Sequence, residues 1–185
     1  NNTVMLGQGS NTLTLGTGSN NVTVGNENNT ITIGGSTSST ETISAGNGQN
    51  TMTLGEGIYN VTVGNGGNTF ILDGGTYNID AGTGADTFIF TDPAGQLITD
   101  LGSNDVLEFR DSGFDFGSLE GTGTGTPQPL PFSTSGFTDA SVRFAYDPGS
   151  GDLRYASDGL LADSTVVAAL TNKPVLTAGE LLFIS

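Results

Sequence analysis

Apolar residues in the first half of the chain come in pairs two apart, with a polar residue between them and a glycine-bearing segment before the next pair. Leu13-Thr14-Leu15, Val22-Thr23-Val24, Ile31-Thr32-Ile33, Met52-Thr53-Leu54 and Val61-Thr62-Val63 all read this way. Alternation of this kind marks a strand with one buried face, and apolar residues two apart cannot make the stripe of an amphipathic helix. The register that opens at Gly7-Gln8-Gly9-Ser10-Asn11-Thr12-Leu13-Thr14-Leu15 returns at residues 16–24, 25–33, 46–54, 55–63, 64–72, 73–81 and 82–90, a period of nine. Residues 34–45 carry three extra residues in a Ser/Thr-rich turn, and residues 1–6 are the last six positions of a repeat.

Each repeat therefore predicts one strand and one turn. A strand of four or five residues cannot bury its apolar face alone, so consecutive strands must face each other as two walls. The coil is then eighteen residues, with parallel pairing along each wall. About five coils at about 4.8 Å each give a rod about 24 Å long. The expected architecture is all-β: a parallel β-roll, or β-solenoid, with Leu13, Ile31, Met52 and Phe70 inside at neighbouring levels.

One wall turns Thr12/Thr14, Thr30/Thr32, Thr51/Thr53, Thr69/Ile71 and Thr87/Ile89 outward; the other turns out Asn21/Thr23, Thr42/Ser44, Asn60/Thr62 and Asn78/Asp80. The fifth repeat position stacks Asn11, Asn29, Asn50, Asn68 and Asp86 along one edge, and Asn2, Asn20, Glu41, Tyr59 and Tyr77 along the other. Amide ladders and stacked rings both suit in-register coils. Ile71 and Ile89 point outward where earlier coils place Thr, which predicts that a C-terminal segment covers them.

The pattern changes after residue 90, dividing the chain into a repeat region, 1–90, and a C-terminal β capping region, 91–185. Residues 91–111 read as further strands, and 112–140, rich in Gly, Ser, Thr and Pro, as a long surface loop. Ser141–Asp147 and Asp152–Ala156 form a hairpin about Pro148-Gly149-Ser150-Gly151, and Val166–Leu170 and Leu181–Ile184 are two more short strands.

The formal net charge is −15, from nineteen acids against Arg110, Arg143, Arg154 and Lys173. Such a field disfavours nucleic acid and membrane insertion and favours cations, above all a hard divalent ion with oxygen ligands. Cysteine and histidine are absent, which removes disulfides, thiolate nucleophiles and the commonest general base. The acids are scattered on turns with no catalytic constellation, so an enzyme is not expected. Asn1 enters in mid-repeat, and an open strand edge there would pair with upstream sequence or with an identical subunit.

Gly82-Thr83-Gly84-Ala85-Asp86-Thr87-Phe88-Ile89-Phe90 closely resembles the calcium-binding nonapeptide of the RTX (repeats-in-toxin) family. Ile98-Thr99-Asp100-Leu101-Gly102-Ser103-Asn104-Asp105-Val106-Leu107-Glu108-Phe109 is similar to the strand and loop that close such a roll. Phe144–Asp147, Gly151–Tyr155 and Leu176–Ile184 resemble the C-terminal segment of type I-secreted RTX proteins. The resemblance implies a right-handed roll, calcium between neighbouring turns, and export of an unfolded chain through an uncleaved C-terminal signal. Most repeats depart from the motif by placing Asn where it has a calcium-ligating Asp, so residues 1–72 are expected to be largely metal-free. A calcium site is expected at Asp86 and Asp105, with Asn104, Asp100 and the carbonyls around Gly82 and Gly84 as further ligands. Asp73 and Asp80 are secondary candidates. The plainer alternative is that these acids cap turns or sit in solvent.

Three functions follow. The first is a structural or adhesive module of a secreted bacterial surface protein, folding with calcium outside the cell and assembling end to end. The second is ice binding by outward Thr-x-Thr rows, and the third the non-catalytic tail of a secreted enzyme.

Overall fold

The computed structural model describes residues 1–185 except 94, 95, 99, 100, 111, 117–127, 131, 139, 178 and 185. Residues 1–90 form strands β1 (Asn2–Met5), β2 (Thr12–Leu15), β3 (Asn20–Thr23), β4 (Thr30–Ser44), β5 (Thr51–Thr62), β6 (Thr69–Leu72), β7 (Thr76–Asp80) and β8 (Thr87–Phe90). Then come β9 (Gln96–Ile98), β10 (Val106–Arg110), β11 (Gln128–Pro129), β12 (Phe132–Ser133), β13 (Phe144–Asp147), β14 (Asp152–Tyr155), β15 (Thr165–Leu170) and β16 (Leu181–Ile184). Among the described residues the only helical piece is a single 3-10 turn at Leu161–Asp163.

The nine-residue period folds as the alternation dictates. The first wall stacks β2, the start of β4, the start of β5, β6, β8 and β10 in parallel. The second stacks β1, β3, the end of β4, the end of β5, β7 and β9. Partners lie eighteen residues apart at Thr12–Thr30, Thr51–Thr69 and Thr69–Thr87, twenty-one at Thr30–Thr51 across the insert, and nineteen at Thr87–Val106. Six levels result, one more than the repeats alone predict, because β9 and β10 continue the coil.

Inside the first wall, Leu13, Ile31, Met52, Phe70, Phe88 and Leu107 are successive partners. All but the half-buried Leu13 of the first coil are sealed from solvent. Val22, Ile43, Val61, Ile79 and Ile98 face them from the second wall. Each fully buried aliphatic or aromatic side chain of this kind stabilises by about 1.5–3 kcal/mol. Like residues meet at neighbouring levels: Phe70 stacks on Phe88 with centroids 5.1 Å apart, and Tyr59 on Tyr77 at 5.0 Å.

One feature differs from the strand-turn reading of each repeat. β4 and β5 run without a break around the corner between the walls and join both into one sheet. Gly35 permits this: its φ is 54°, and a Cβ there would fall 1.8 Å from the Glu56 carbonyl oxygen, so any side chain would prevent the two corners from nesting.

The C-terminal region adds strands to both walls. β16 pairs in parallel with β10, and β15 with β9; β14 and β13 follow antiparallel, and the two-residue β11 and β12 lie at the ends of the sheet. Edge strands that short give another chain little to pair with. The expected hairpin is present, closed by the Gly151 N–H on the Asp147 carbonyl at 2.7 Å. Phe109 of β10 stacks on Phe90 at 4.8 Å and meets Phe114 and Phe144 at 5.2 and 4.4 Å. An aromatic cluster thus joins roll to cap. The outer face of the first wall also closes over at this end, where Ile89 and Glu108 are buried and Ile71 is half-buried.

Candidate functional site

Two columns of side chains run along the inner corners of the roll. In the first, Asn11 donates from Nδ2 to Asn29 Oδ1 at 2.9 Å, Asn29 to Asn50 at 3.0 Å, Asn50 to Asn68 at 2.9 Å and Asn68 to Asp86 at 2.9 Å. Each acceptor oxygen also takes the backbone N–H of the residue below it, and Asp86 N–H passes the pattern on to Asp105 Oδ1 at 2.9 Å. Every rung points the same way, from amide donor to acceptor oxygen, and the last acceptor of the series is Asp86 Oδ1. The predicted stacking of Asn11, Asn29, Asn50, Asn68 and Asp86 is therefore a continuous hydrogen-bond ladder that ends in two acids.

Asp86 and Asp105 are each 1% exposed. Asp105 Oδ2 accepts the Gly102 N–H at 2.7 Å. Burial pushes its carboxyl above the usual range, the N–H bonds from Asp86 and Gly102 pull it back, and the nearby Glu180 charge adds to the rise. Glu180, 8% exposed, comes from the segment before β16, and its carbonyl accepts the Leu107 N–H at 2.7 Å. No sequence pattern singles out Glu180, since it is brought here by the pairing of β16 with β10, which joins it to Leu107, seventy-three residues earlier.

Gly82 and Gly84 lie on the turn one level below Ser103 and Asn104, and these four line, with Thr83 and Gly102, a groove of about 280 Å³. The turns below it are laced by an outer ladder in which Gln8, Asn26, Asn47 and Asn65 each accept, through their side-chain oxygen, a backbone N–H of the next coil. The Thr83 N–H donates the last of these bonds, to Asn65 Oδ1, and Thr83 itself lines the groove. Asp105 backs onto this groove beside Gly102, where a Cβ would lie 3.5 Å from Asp105 Oδ2.

The site residues read from the sequence thus separate into two layers. Gly82, Gly84 and Asn104 meet on the groove, Asp86 and Asp105 form the ladder end inside it, and Asp100 lies outside the described residues. The donor set is all oxygen, the chemistry that calcium takes. Among the described residues no three acidic side chains gather as a metal-binding group, so carbonyl and amide oxygens would supply most of the coordination. Of the secondary candidates, Asp73 accepts the Thr91 hydroxyl at 3.1 Å and Asp80 is exposed on the second wall.

The four basic side chains sit in the cap. Arg110 lies 4.0 Å from Glu108 and Arg154 3.6 Å from Asp152, while Arg143 donates to the Ala140 carbonyl and Lys173 to that of Gly149. No helix among the described residues is long and apolar enough to cross a membrane. Comparison with family models, with curated proteins and with solved structures finds no match to this chain.

Proposed function

We propose that this chain is a non-catalytic structural or adhesive module of the RTX kind, acting outside the cell or on its surface, in which calcium bound at the roll–cap joint locks a preformed solenoid. The observation that carries the reading is the change from amide to carboxylate at the joint: four asparagine rungs lead into Asp86 and Asp105, both buried, beside the groove lined by Gly82, Gly84 and Asn104. Buried carboxylates are costly unless charge is brought to them. Calcium entering the groove would be met by the carbonyls around Gly82 and Gly84, the Asn104 side chain and the Asp105 carboxylate behind Gly102. Asp100 belongs to the same proposal by its sequence position.

The test is circular dichroism and thermal melting with calcium and with chelator. Calcium should raise the melting temperature and order the cap. Asp86→Asn, which keeps an acceptor oxygen for Asn68 and removes the charge, should fold and lose most of that response. A wild-type protein indifferent to calcium ends the proposal.

One observation favours a second reading, ice binding. Thr12, Thr30, Thr51, Thr69 and Thr87 form an in-register outward row five levels deep, a regular hydroxyl array able to order water. Thermal hysteresis abolished by Thr30→Lys would support it; absence of hysteresis in the unaltered protein would exclude it.

A further inference from the structure

The second inner column behaves differently from the first. Asn2 donates to Asn20 Oδ1 at 2.7 Å, and Asn20 N–H donates to Glu41 Oε2 at 2.8 Å. Beyond Glu41 the column becomes Tyr59 and Tyr77. Glu41 is 0% exposed, and its second oxygen, Oε1, meets no donor. Glu41 stands in the one coil lengthened to twenty-one residues, directly paired with Tyr59 on the next level.

The Tyr59 hydroxyl has a backbone hydrogen bond with Gly55, and the Ile33 and Glu56 carbonyls stand 3.4 and 3.5 Å from it, long for an O–H···O bond, which is ordinarily about 2.7–2.8 Å. One level on, where the coil is regular, the Tyr77 hydroxyl sits 2.7 Å from both the Leu54 and Gly55 carbonyls and accepts the Asp73 N–H at 3.0 Å. Ser39, 3% exposed, shares the interior with Glu41. A Cβ on Gly57 would lie 3.1 Å from Ser39 Oγ and 3.0 Å from Tyr59 Cε2, so both side chains crowd the same glycine. Ser39 Oγ accepts the Ser36 N–H at 3.1 Å and donates to the Ser36 carbonyl at 2.9 Å, so the buried oxygen this coil leaves without a donor is Glu41 Oε1.

Something must meet Oε1. A water would supply a hydrogen bond but no charge, and a carboxylate that is to ionise in an apolar interior needs a countercharge. None of the basic side chains supplies it, since all four are engaged in the cap. We infer that the interior of the lengthened coil binds one small monovalent cation of the sodium or potassium class, held by the Glu41 carboxylate with the Ser39 and Tyr59 oxygens beside it. One acid balances one such charge; a dication would leave net positive charge in the core. This site lies in a different coil from the calcium proposal and does not depend on it.

The experiment is thermal melting of the full chain in sodium, potassium and choline chloride at equal ionic strength, pH and calcium concentration. The wild type should melt several degrees higher in sodium or potassium chloride than in choline chloride, a cation too large to enter. Glu41→Gln, the same shape without the charge, should melt at one temperature in all three. Equal melting of the wild type in the three salts overturns the inference, whatever meets Oε1 instead, and this arm needs no variant to fold. A sodium effect that survives in Glu41→Gln overturns it too.

Discussion

At the scale of single residues, the ladder makes each asparagine both donor and acceptor, so removing one leaves two neighbours unserved. Asn50→Ala would strip the acceptor from the Asn29 amide and backbone N–H and the side-chain donor from Asn68 Oδ1, which would keep only the backbone N–H of residue 50. An unmet buried polar group costs about 1–3 kcal/mol, and a loss in that range should show in urea unfolding. The two stacked tyrosines separate the same way. Tyr77→Phe abandons the close carbonyl contacts of a fully bonded hydroxyl and should cost about 1–3 kcal/mol, whereas Tyr59→Phe gives up carbonyl contacts that are long and should cost less. Both phenols are held above their ordinary range, chiefly by burial, with the Glu41 charge adding to the effect at Tyr59. A raised phenol stabilises the fold fully below its unfolded value, about 10, and that contribution is lost as pH rises further. Ultraviolet titration should therefore show these tyrosines ionising only together with loss of the fold, and smooth titration in a folded protein would contradict their burial.

At the scale of elements, the turns are as tightly specified as the strands. A Cβ on Gly48 would lie 2.2 Å from the Glu27 carbonyl oxygen of the coil below, while one on Gly7, in the first turn, meets nothing within 4 Å. Gly48→Ala should cost about 1–3 kcal/mol or more, as overpacking does, and Gly7→Ala should be close to neutral by the same denaturation measurement. The glycine turns, the alternating strands and the outward Thr and Asn rows were all legible in the sequence, because a fixed period of nine translates directly into stacked levels. The continuous course of β4 and β5 was not, since Gly34-Gly35 and Gly55-Glu56-Gly57 read as strand-ending turns and only nesting with the adjacent corner keeps them extended. The site was legible in half. Spacing brings Gly82, Gly84 and Asn104 onto one groove and puts Asp86 at the end of the amide stack, but the coil there is nineteen residues and not eighteen, and sequence alone does not reveal that Asp105 takes the next acceptor place. Glu180 was invisible because its place depends on a strand that closes the first wall from the far end of the chain.

At the scale of the whole molecule, a stack of coils contacts only its neighbours, so its cooperativity depends on what closes it. Every base is in the cap and most of the acids are too, so simple charge attraction between roll and cap is not what joins them. The joint is aromatic. Phe109 continues the inner row from Phe90, a centroid distance of 4.8 Å, and touches Phe144 of the hairpin and Phe114 on the other side, with Phe116 in turn against Phe183 of β16. It is fully buried, and truncating a phenylalanine in such a place costs about 3–5 kcal/mol. Phe70→Ala, in the middle of the roll, removes a ring of the same size from an equally buried position and should cost as much. The two variants should differ in kind, because Phe70 links only coil to coil while Phe109 links coil to cap. Phe109→Ala is therefore expected to split the unfolding transition, with β13 to β16 losing hydrogen-exchange protection before β4 to β8, whereas Phe70→Ala should lower stability and weaken protection first within the roll. If Phe109→Ala unfolds in one step with roll and cap losing protection together, the aromatic cluster is not the joint, and the backbone pairing of β10 with β16 and of β9 with β15 must hold the two regions as a unit.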